Sequence, residues 1–261
     1  MNWFHQNDCS PTVFPPKKHI AKRFPQNQGK TLPERAVVFF LGKGLPILRE
    51  AFETELLAEQ LPGFAIHTPV LKVRGSGQVC FVHGGYGAPC AASTVETLAA
   101  MGVQEFYLVG LCGAFGEEVQ VGDLIVPKRI LSEEGTSRHY REDFTFAEVP
   151  DREPPETLDD YFARRGFTVR RRDTVTTDAV YRQTFQKEAY WREQGCVGVD
   201  MEASALVTVC NYYGKSATVF LMASDKHPME EGAGDWQWGS LDFGELQRKL
   251  VTSCAEFVLQ K

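Results

Sequence analysis

The chain has no apolar run approaching the roughly 20 residues that a membrane-spanning helix requires, and its start lacks the hydrophobic centre of a secretion signal. Together these absences predict a cytoplasmic protein with no membrane partner. Seven cysteines occur in 261 residues, but they lie far apart, with no paired short spacing of the kind that builds a zinc site. No metal is expected, and the thiols are expected to be free and reduced. Positive charge is also in deficit: 28 Lys and Arg stand against 34 Asp and Glu, a formal charge of −6. Phosphate-backbone recognition needs a concentrated basic surface, so nucleic acid is excluded as a partner. The one dense basic cluster, Arg164, Arg165, Arg170, Arg171 and Arg172, reads as a solvated face or a subunit contact. Internal repeats, low-complexity tracts and an inter-domain linker are missing as well, which favours one large domain.

What is present is an alternation of strand and helix patterns. Residues 1–34, rich in Pro, Lys, Gln and Asn, cannot bury enough surface to fold alone and read as an N-terminal arm or strap. The domain proper is then residues 35–261. A buried strand over 35–41 runs into Gly42-Lys43-Gly44, and a helix is expected over 46–60 with Leu48, Phe52 and Leu56 on one face. A strand over 78–82 leads into Gly84-Gly85-Tyr86-Gly87-Ala88-Pro89 and a helix ending near Met101. The strand 105–109 empties into a glycine-rich loop, Gly110 to Gly116, and 121–127 continues the sheet. Helices are expected over 154–165, 179–194 and 243–259, with a strand over 168–175. Strand, glycine loop and helix in succession predict an α/β fold, a three-layer α/β/α domain with a mixed central sheet and its loops gathered at one edge.

The chain is organised around residues 197–227. Ala203, Leu206, Val207 and Cys210 fall at i, i+3, i+4 and i+7, so 201–213 reads as an amphipathic helix closed by Gly214. The following apolar run, 217–223, is too short for a helix and reads as a buried strand. Glu202 then stands at the mouth of the helix and Asp225 just past the end of the strand, where an open α/β sheet builds its pocket. Structural readings stay open beside this one: Glu202 as a first-turn carboxylate favoured by the helix dipole, and Asp225 as an N-cap.

Four segments, Gly110-Leu-Cys-Gly-Ala, Gly122-Asp-Leu-Ile-Val-Pro127, Met201-Glu202-Ala203 and Ser224-Asp225, occur in the order and spacing of the nucleoside phosphorylase superfamily. The chain resembles that family over about residues 35–258. Glu133 to Tyr140 and Thr176 to Arg182 also look like its uridine-phosphorylase-like branch. The resemblance implies cleavage of the N-glycosidic bond of a nucleoside, by phosphorolysis to the free base and ribose 1-phosphate. No cofactor is implied, and inorganic phosphate is the co-substrate. Breaking the ribosyl C–N bond develops positive charge on the sugar while the base leaves with the electron pair, so a site must hold the hydroxyls, oppose the cation and protonate the base. By resemblance Glu202 holds the ribose hydroxyls, with Met201 packed under the sugar. Asp225, its pKa raised by burial, donates to the base. Cys112, Gly113, Tyr181 and Arg182 match base-pocket positions, although Cys112 also suits a buried hydrophobe and Arg182 an exposed helix. Assembly into homo-oligomers, as dimers, trimers of dimers or hexamers, is implied too.

The sequence departs from the family at the phosphate. Leu108 stands where an arginine is expected and Leu111 where a hydroxyl is, and Pro46 lies near a further expected arginine. A dianion among leucines is desolvated without compensation. Gly42 and Lys43 are the substitutes, amides with one lysine making an anion cradle; Arg49 is a weaker candidate. Two other readings stand: a phosphate-independent hydrolase whose water is activated by His83 or Glu134, and a non-catalytic nucleoside-binding protein of the same fold.

Overall fold

Short runs rich in Val, Phe and Leu become strands in this chain, and longer segments with three-to-four-residue apolar spacing become helices. The structure is a computed structural model that describes residues 10–63, 67–142, 145–150, 154–239 and 242–261. In chain order the elements are α1 (Pro16–Arg23), β1 (Arg35–Phe40), α2 (Gly44–Ala51), β2 (Thr54–Ala58), β3 (Val70–Val73), β4 (Val79–His83), α3 (Ala88–Ala100) and β5 (Glu105–Ala114). Next come β6 (Leu124–Ile125), β7 (Arg129–Glu133), β8 (Phe146–Glu148), α4 (Pro155–Ala163), β9 (Val169–Arg170) and β10 (Asp173–Thr177). The chain closes with α5 (Phe185–Glu193), β11 (Cys196–Asp200), α6 (Ala203–Tyr212), β12 (Ser216–Lys226), β13 (Gln237–Trp238) and α7 (Phe243–Leu259).

The strands form one mixed sheet in the order β2-β3-β4-β1-β5-β11-β10-β7-β8, with β12 also paired to β5. At its centre β1 runs parallel to β4 and β5, and β12 parallel to β5, whereas β11 meets the end of β5 antiparallel. Side-chain alternation along β1 makes the layers visible. Ala36, Val38 and Phe40 pack with residues of α3 and α6, while Val37 and Phe39 pack with α2, α4 and α7. A strand whose two faces are both covered reads as a continuous apolar run, which is why Arg35–Phe40 carries no polar residue after its first. This is the expected three-layer α/β/α architecture with a mixed sheet.

Several boundaries differ from the sequence reading. The helix expected over 46–60 stops at Ala51, and Thr54–Ala58 becomes an edge strand antiparallel to β3, which the sequence reading missed. Leu56 consequently points outward and is 53% exposed. Charge pairs explain the choice: Glu55 meets Lys72 at 2.8 Å across the two strands, and Arg74 pairs with Glu53. Gly110 to Ala114 is strand rather than loop, because β12 runs beside it through the pairs Leu221↔Gly110 to Lys226↔Ala114. Asp225 therefore lies inside β12, after a register shift at Ala223, and pairs on its other side with Trp238 of β13. The segment 179–194 divides into a 3-10 turn, Val180–Arg182, and α5, which Thr184 caps by accepting the Lys187 N–H at 3.3 Å.

The expected arm lies against the body over its described part: Ile20 and Leu32 join the cluster beneath α3, and the Leu32 N–H donates to the Met101 carbonyl at 2.8 Å. Trp3, Phe4, His5 and Cys9 fall outside the described residues, and the six described cysteines are all free. Four arginines of the basic cluster pair with acids of the same chain, Arg165 with Glu256, Arg170 with Asp123, Arg171 with Asp159 and Arg172 with Glu118. Among the described residues no helix is long and apolar enough to cross a membrane, and no group of three or more His, Cys, Asp or Glu side chains is arranged to hold a metal.

Candidate active site

A cavity of about 940 Å³ is lined by the last residues of β5 and β12 and by the end of β11 that runs antiparallel beside β5, its lining completed by the turn before α5 and the residues after β12. Of the residues expected in a site, Gly42, Cys112 and Gly113 line it on the β1 and β5 side. Met201, Glu202, Asp225 and Tyr181 line it too, with Asp225 beside Gly113 in the register of β12 on β5. The shared hollow required of Glu202 and Asp225 is therefore present.

Glu202 is 6% exposed, and one oxygen of its carboxylate accepts the Gly87 N–H at 2.7 Å. Gly87 can present that amide because it sits at φ +89°, a conformation that favours glycine, at the end of the Gly84–Gly87 turn. Beneath Glu202 lies Asp200, which the sequence reading passed over. It accepts the Thr176 hydroxyl at 2.6 Å, the Glu202 N–H at 3.1 Å and the Ala203 N–H at 2.6 Å. Asp200 thus caps α6 in place of Glu202; burial raises its carboxyl to about 6, but its three donors hold it below Glu202, which makes it the charged member of the pair. Burial, followed by repulsion from Asp200, pushes the Glu202 carboxyl well above its ordinary value.

Asp225 differs from expectation. Burial acts to raise it, but hydrogen bonds from His227, Ser224 and Trp236 prevail, and its carboxyl is held below the ordinary value. The Ser224 hydroxyl lies 2.5 Å from Oδ1, and the Trp236 indole N–H donates to Oδ2 at 2.7 Å. His227 Nε2 meets Oδ2 at 3.0 Å, while Nδ1 meets Glu188 Oε1 at 2.7 Å. Burial acts to lower His227, yet the hydrogen bonds and charges of the two carboxylates lift it to about 9. At neutral pH the proton here resides on His227, not on Asp225. Gly113 makes the arrangement possible, since a Cβ at that position would stand 2.6 Å from His227 Nε2. The thiol of Cys112, raised by burial and then by the charges of Asp200 and Asp225, is neutral.

His227, Glu188 and Trp236 all line the cavity and were missed by sequence reasoning. A usable signal existed for one of them. Residues two apart on a strand share a face, so a strand continued to 226 brings His227 to the side of Asp225. Glu188, two elements away, carried no such mark.

Other expected residues are not brought in. Lys43 is exposed at the start of α2, and neither it nor Arg49 nor Arg182 lines the cavity. Among the described residues no lysine or arginine does. Leu108 is fully buried within β5, whereas Leu111 reaches the lining. The suggested water activators lie outside as well. His83 accepts the Gly85 N–H on Nδ1 at 2.9 Å, and burial lowers its pKa. Glu134 accepts the Ser137 N–H and the Ser204 hydroxyl, each at 3.0 Å, as an internal brace.

Comparison with known proteins follows the same line. The family described as the Phosphorylase superfamily matches residues 34–260. Curated relatives include a guanosine phosphorylase of Halorubrum lacusprofundi, 30% identical over 133 residues, which are 51% of this chain and 55% of the relative. A purine nucleoside phosphorylase DeoD-type of Clostridium beijerinckii is 29% identical over 130 residues, 50% of this chain and 55% of the relative. The matched region thus spans about half the length of these relatives. Among solved structures, uridine phosphorylase from Vibrio fischeri superposes with TM-score 0.67 at 21% identity, covering 88% of this chain and 93% of that one. Purine nucleoside phosphorylase from Toxoplasma gondii gives 0.69 at 18%, covering 89% and 94%. At such identities these likenesses speak for the fold.

Proposed function

Because the chain belongs to the phosphorylase superfamily, we propose that its cavity cleaves the N-glycosidic bond of a nucleoside by phosphorolysis, giving the free base and ribose 1-phosphate. The observation that carries this reading is the common cavity of Glu202, Met201 and Asp225. In the proposed complex Glu202 accepts hydrogen bonds from the vicinal ribose hydroxyls, and its charge opposes the cationic sugar. Met201 packs under the ring. Asp225 faces the base, with Cys112, Gly113 and Tyr181 around it. Arg182 has no part in this reading.

A negative ribose grip fits the chemistry, because a carboxylate aimed at developing positive charge is worth most in a water-poor site. The same acidity burdens phosphate. With no lysine or arginine among the described residues of the lining, the phosphate seat is atypical: backbone at Gly42, with Lys43 one residue further on supplying charge from the rim. That scarcity of cations favours one second reading, hydrolysis by water. The homo-oligomer implied by the resemblance belongs to the same proposal.

A nucleoside panel incubated with and without inorganic phosphate tests the reading. Base release that requires phosphate and yields ribose 1-phosphate supports it. Release at the same rate without phosphate replaces it with hydrolysis, and no release from any purine or pyrimidine nucleoside leaves only binding.

A further inference from the structure

Two buried acids on different elements converge on one imidazole in this cavity, and the ribosyl chemistry proposed above leaves that convergence without a role. Glu188, 5% exposed on α5, and Asp225, 5% exposed on β12, hold the two ring nitrogens of His227 at 2.7 and 3.0 Å. The ring lines the cavity beside Gly113, whose missing side chain leaves the space that Nε2 occupies. An imidazole between two carboxylates satisfies both only as the doubly protonated cation, because each nitrogen must donate.

The neighbours confine it further. Trp236 donates to the same Asp225 oxygen as His227. Arg192, with a guanidinium nitrogen 3.9 Å from Glu188 Oε2, is anchored on the carbonyls of Phe115 and Met229. The charged groups around the ring, among the described residues, are therefore Asp225 from β12 and Glu188 from α5, with Arg192 behind Glu188.

We propose that His227 stores the proton delivered to the departing base, passing it through Asp225, and that Glu188 is the positioning residue that keeps the ring charged and aimed. The proposal rests on the nucleoside-cleaving reading and supplies its missing acid. As the C1′–N bond breaks, its electron pair leaves on the base. The proton on Nε2 moves to Asp225 Oδ2, and the carboxyl so formed passes it on to a ring nitrogen of the base, so the carboxylate ends as it began. The nucleophile, phosphate or water, bonds to C1′ and gives up its own proton, which returns through solvent to the imidazole. The net change adds the nucleophile and one hydrogen across the C–N bond. A fixed carboxylate alone, held ionised by three donors, has no proton to give; the adjacent imidazolium does.

Two measurements test this in the full chain. Position-specific 15N NMR of histidine in the unliganded protein follows the His227 ring directly. It is expected to titrate near 9, and Glu188→Gln is expected to lower that midpoint by about one unit or more, as loss of an adjacent charge does. A wild-type midpoint at the ordinary histidine value, or one indifferent to Glu188→Gln, overturns the proposal whatever the turnover. The second measurement compares leaving groups. His227→Gln keeps an N–H for Asp225 but carries no transferable proton. On a natural nucleoside it should lose roughly 100-fold or more in kcat, the usual worth of a general acid, with KM little changed. On 4-nitrophenyl β-ribofuranoside, whose leaving group departs unprotonated, the loss should stay within about tenfold, since no proton transfer is required. Equal losses on the two substrates overturn the proposal. A wild-type protein that releases no base from any nucleoside overturns the functional reading instead, so the two failures are told apart.

Discussion

Substituting Gly113 by alanine tests the site's construction without touching a charged group. The new Cβ would lie 2.6 Å from His227 Nε2, 3.0 Å from its Cε1 and 3.2 Å from Asp225 Oδ2, and the first of these is a distance that real Cβ contacts essentially never show. The imidazole has little room to retreat, because Glu188 holds Nδ1 at 2.7 Å on its far side. Relief requires breaking the Nε2–Asp225 bond, and hydrogen bonds to charged groups contribute about 1.5–3 kcal/mol each. Overpacking adds a further 1–3 kcal/mol or so where the ring cannot fully relax. Gly113→Ala should therefore cost about 3 kcal/mol, which in a domain of this size lowers Tm by roughly 6–12 °C. The decisive assay is a double-mutant cycle read by urea unfolding. In a His227→Ala background the nearest obstacle is gone, and Gly113→Ala should cost less than about 1 kcal/mol, leaving a coupling of roughly 2 kcal/mol. Gly110→Ala serves as the control, since its nearest neighbour, a methyl of Leu221, stands 3.4 Å away. A Gly113→Ala cost that persists undiminished without the imidazole would refute the packing of His227 against β5.

Glu202→Ala should abolish base release from nucleosides while thermal unfolding changes little, because the side chain gives up only one backbone hydrogen bond and relieves its repulsion with Asp200; unchanged turnover removes Glu202 from the site. Asp200→Ala should cost about 2–4 kcal/mol in urea unfolding, since it strips the Thr176 hydroxyl and two N-terminal amides of α6 of their acceptor, and a loss under about 0.5 kcal/mol would contradict the capping role. Stability should also fall on the alkaline side. His227 is raised in the fold from its ordinary 6.5 to about 9, so its contribution is complete below pH 6.5 and is lost as pH climbs through about 9. Ionisation of Glu202, raised in the fold, lowers stability in the same direction. Asp225, lowered in the fold, gives up its contribution only in acid. The His227 share of the decline from pH 6.5 to 9 should approach about 3 kcal/mol by linkage, measured as Tm against pH, and His227→Gln should remove that share and leave the Glu202 share; identical profiles for variant and wild type would be the contrary result.

The layers of the fold were legible because local pattern and global position agree at the sheet's centre. Arg35–Phe40, buried on both faces, reads as nothing but a strand, and the apolar spacing of Phe243–Leu259 gave that helix its observed ends. Legibility failed at the edge. Residues 52–58 carry both a helical apolar spacing and the alternation of an edge strand, and what decides between them is Lys72 on a partner strand, with Arg74 just past its end, which local sequence does not reveal. The Gly110–Gly113 stretch misled for a related reason. Glycine in sequence reads as a turn, but in β5 it marks the close approach of another element: Gly113 to His227.

In the site, the acids were legible and their protonation was not. Placing Glu202 and Asp225 together needed only a helix start and a strand end, which sequence supplies. Their charge states depend on which donors each one meets, and those come from the turn after β4 for Glu202 and, for Asp225, from β12, the residue after it and the segment before β13. Burial alone, the one term that sequence suggests, raises both. Three donors then reverse the sign at Asp225, while a charged neighbour reinforces it at Glu202. The two carboxylates are thereby driven apart, Asp225 toward the anion and Glu202 toward the acid, opposite to the roles that burial alone would assign to the base-facing group. If the ribose grip is to be anionic, bound substrate must supply the missing donors: vicinal hydroxyls that donate to Glu202, and a sugar whose growing positive charge lowers its pKa as the bond breaks. Binding should therefore release a proton from Glu202 near neutral pH. Calorimetry in buffers of different ionisation enthalpy would read this as a proton count approaching one in wild type and falling toward zero in Glu202→Gln; equal counts for the two proteins would mean that the carboxyl stays neutral under the sugar and serves as a hydrogen-bonding group alone.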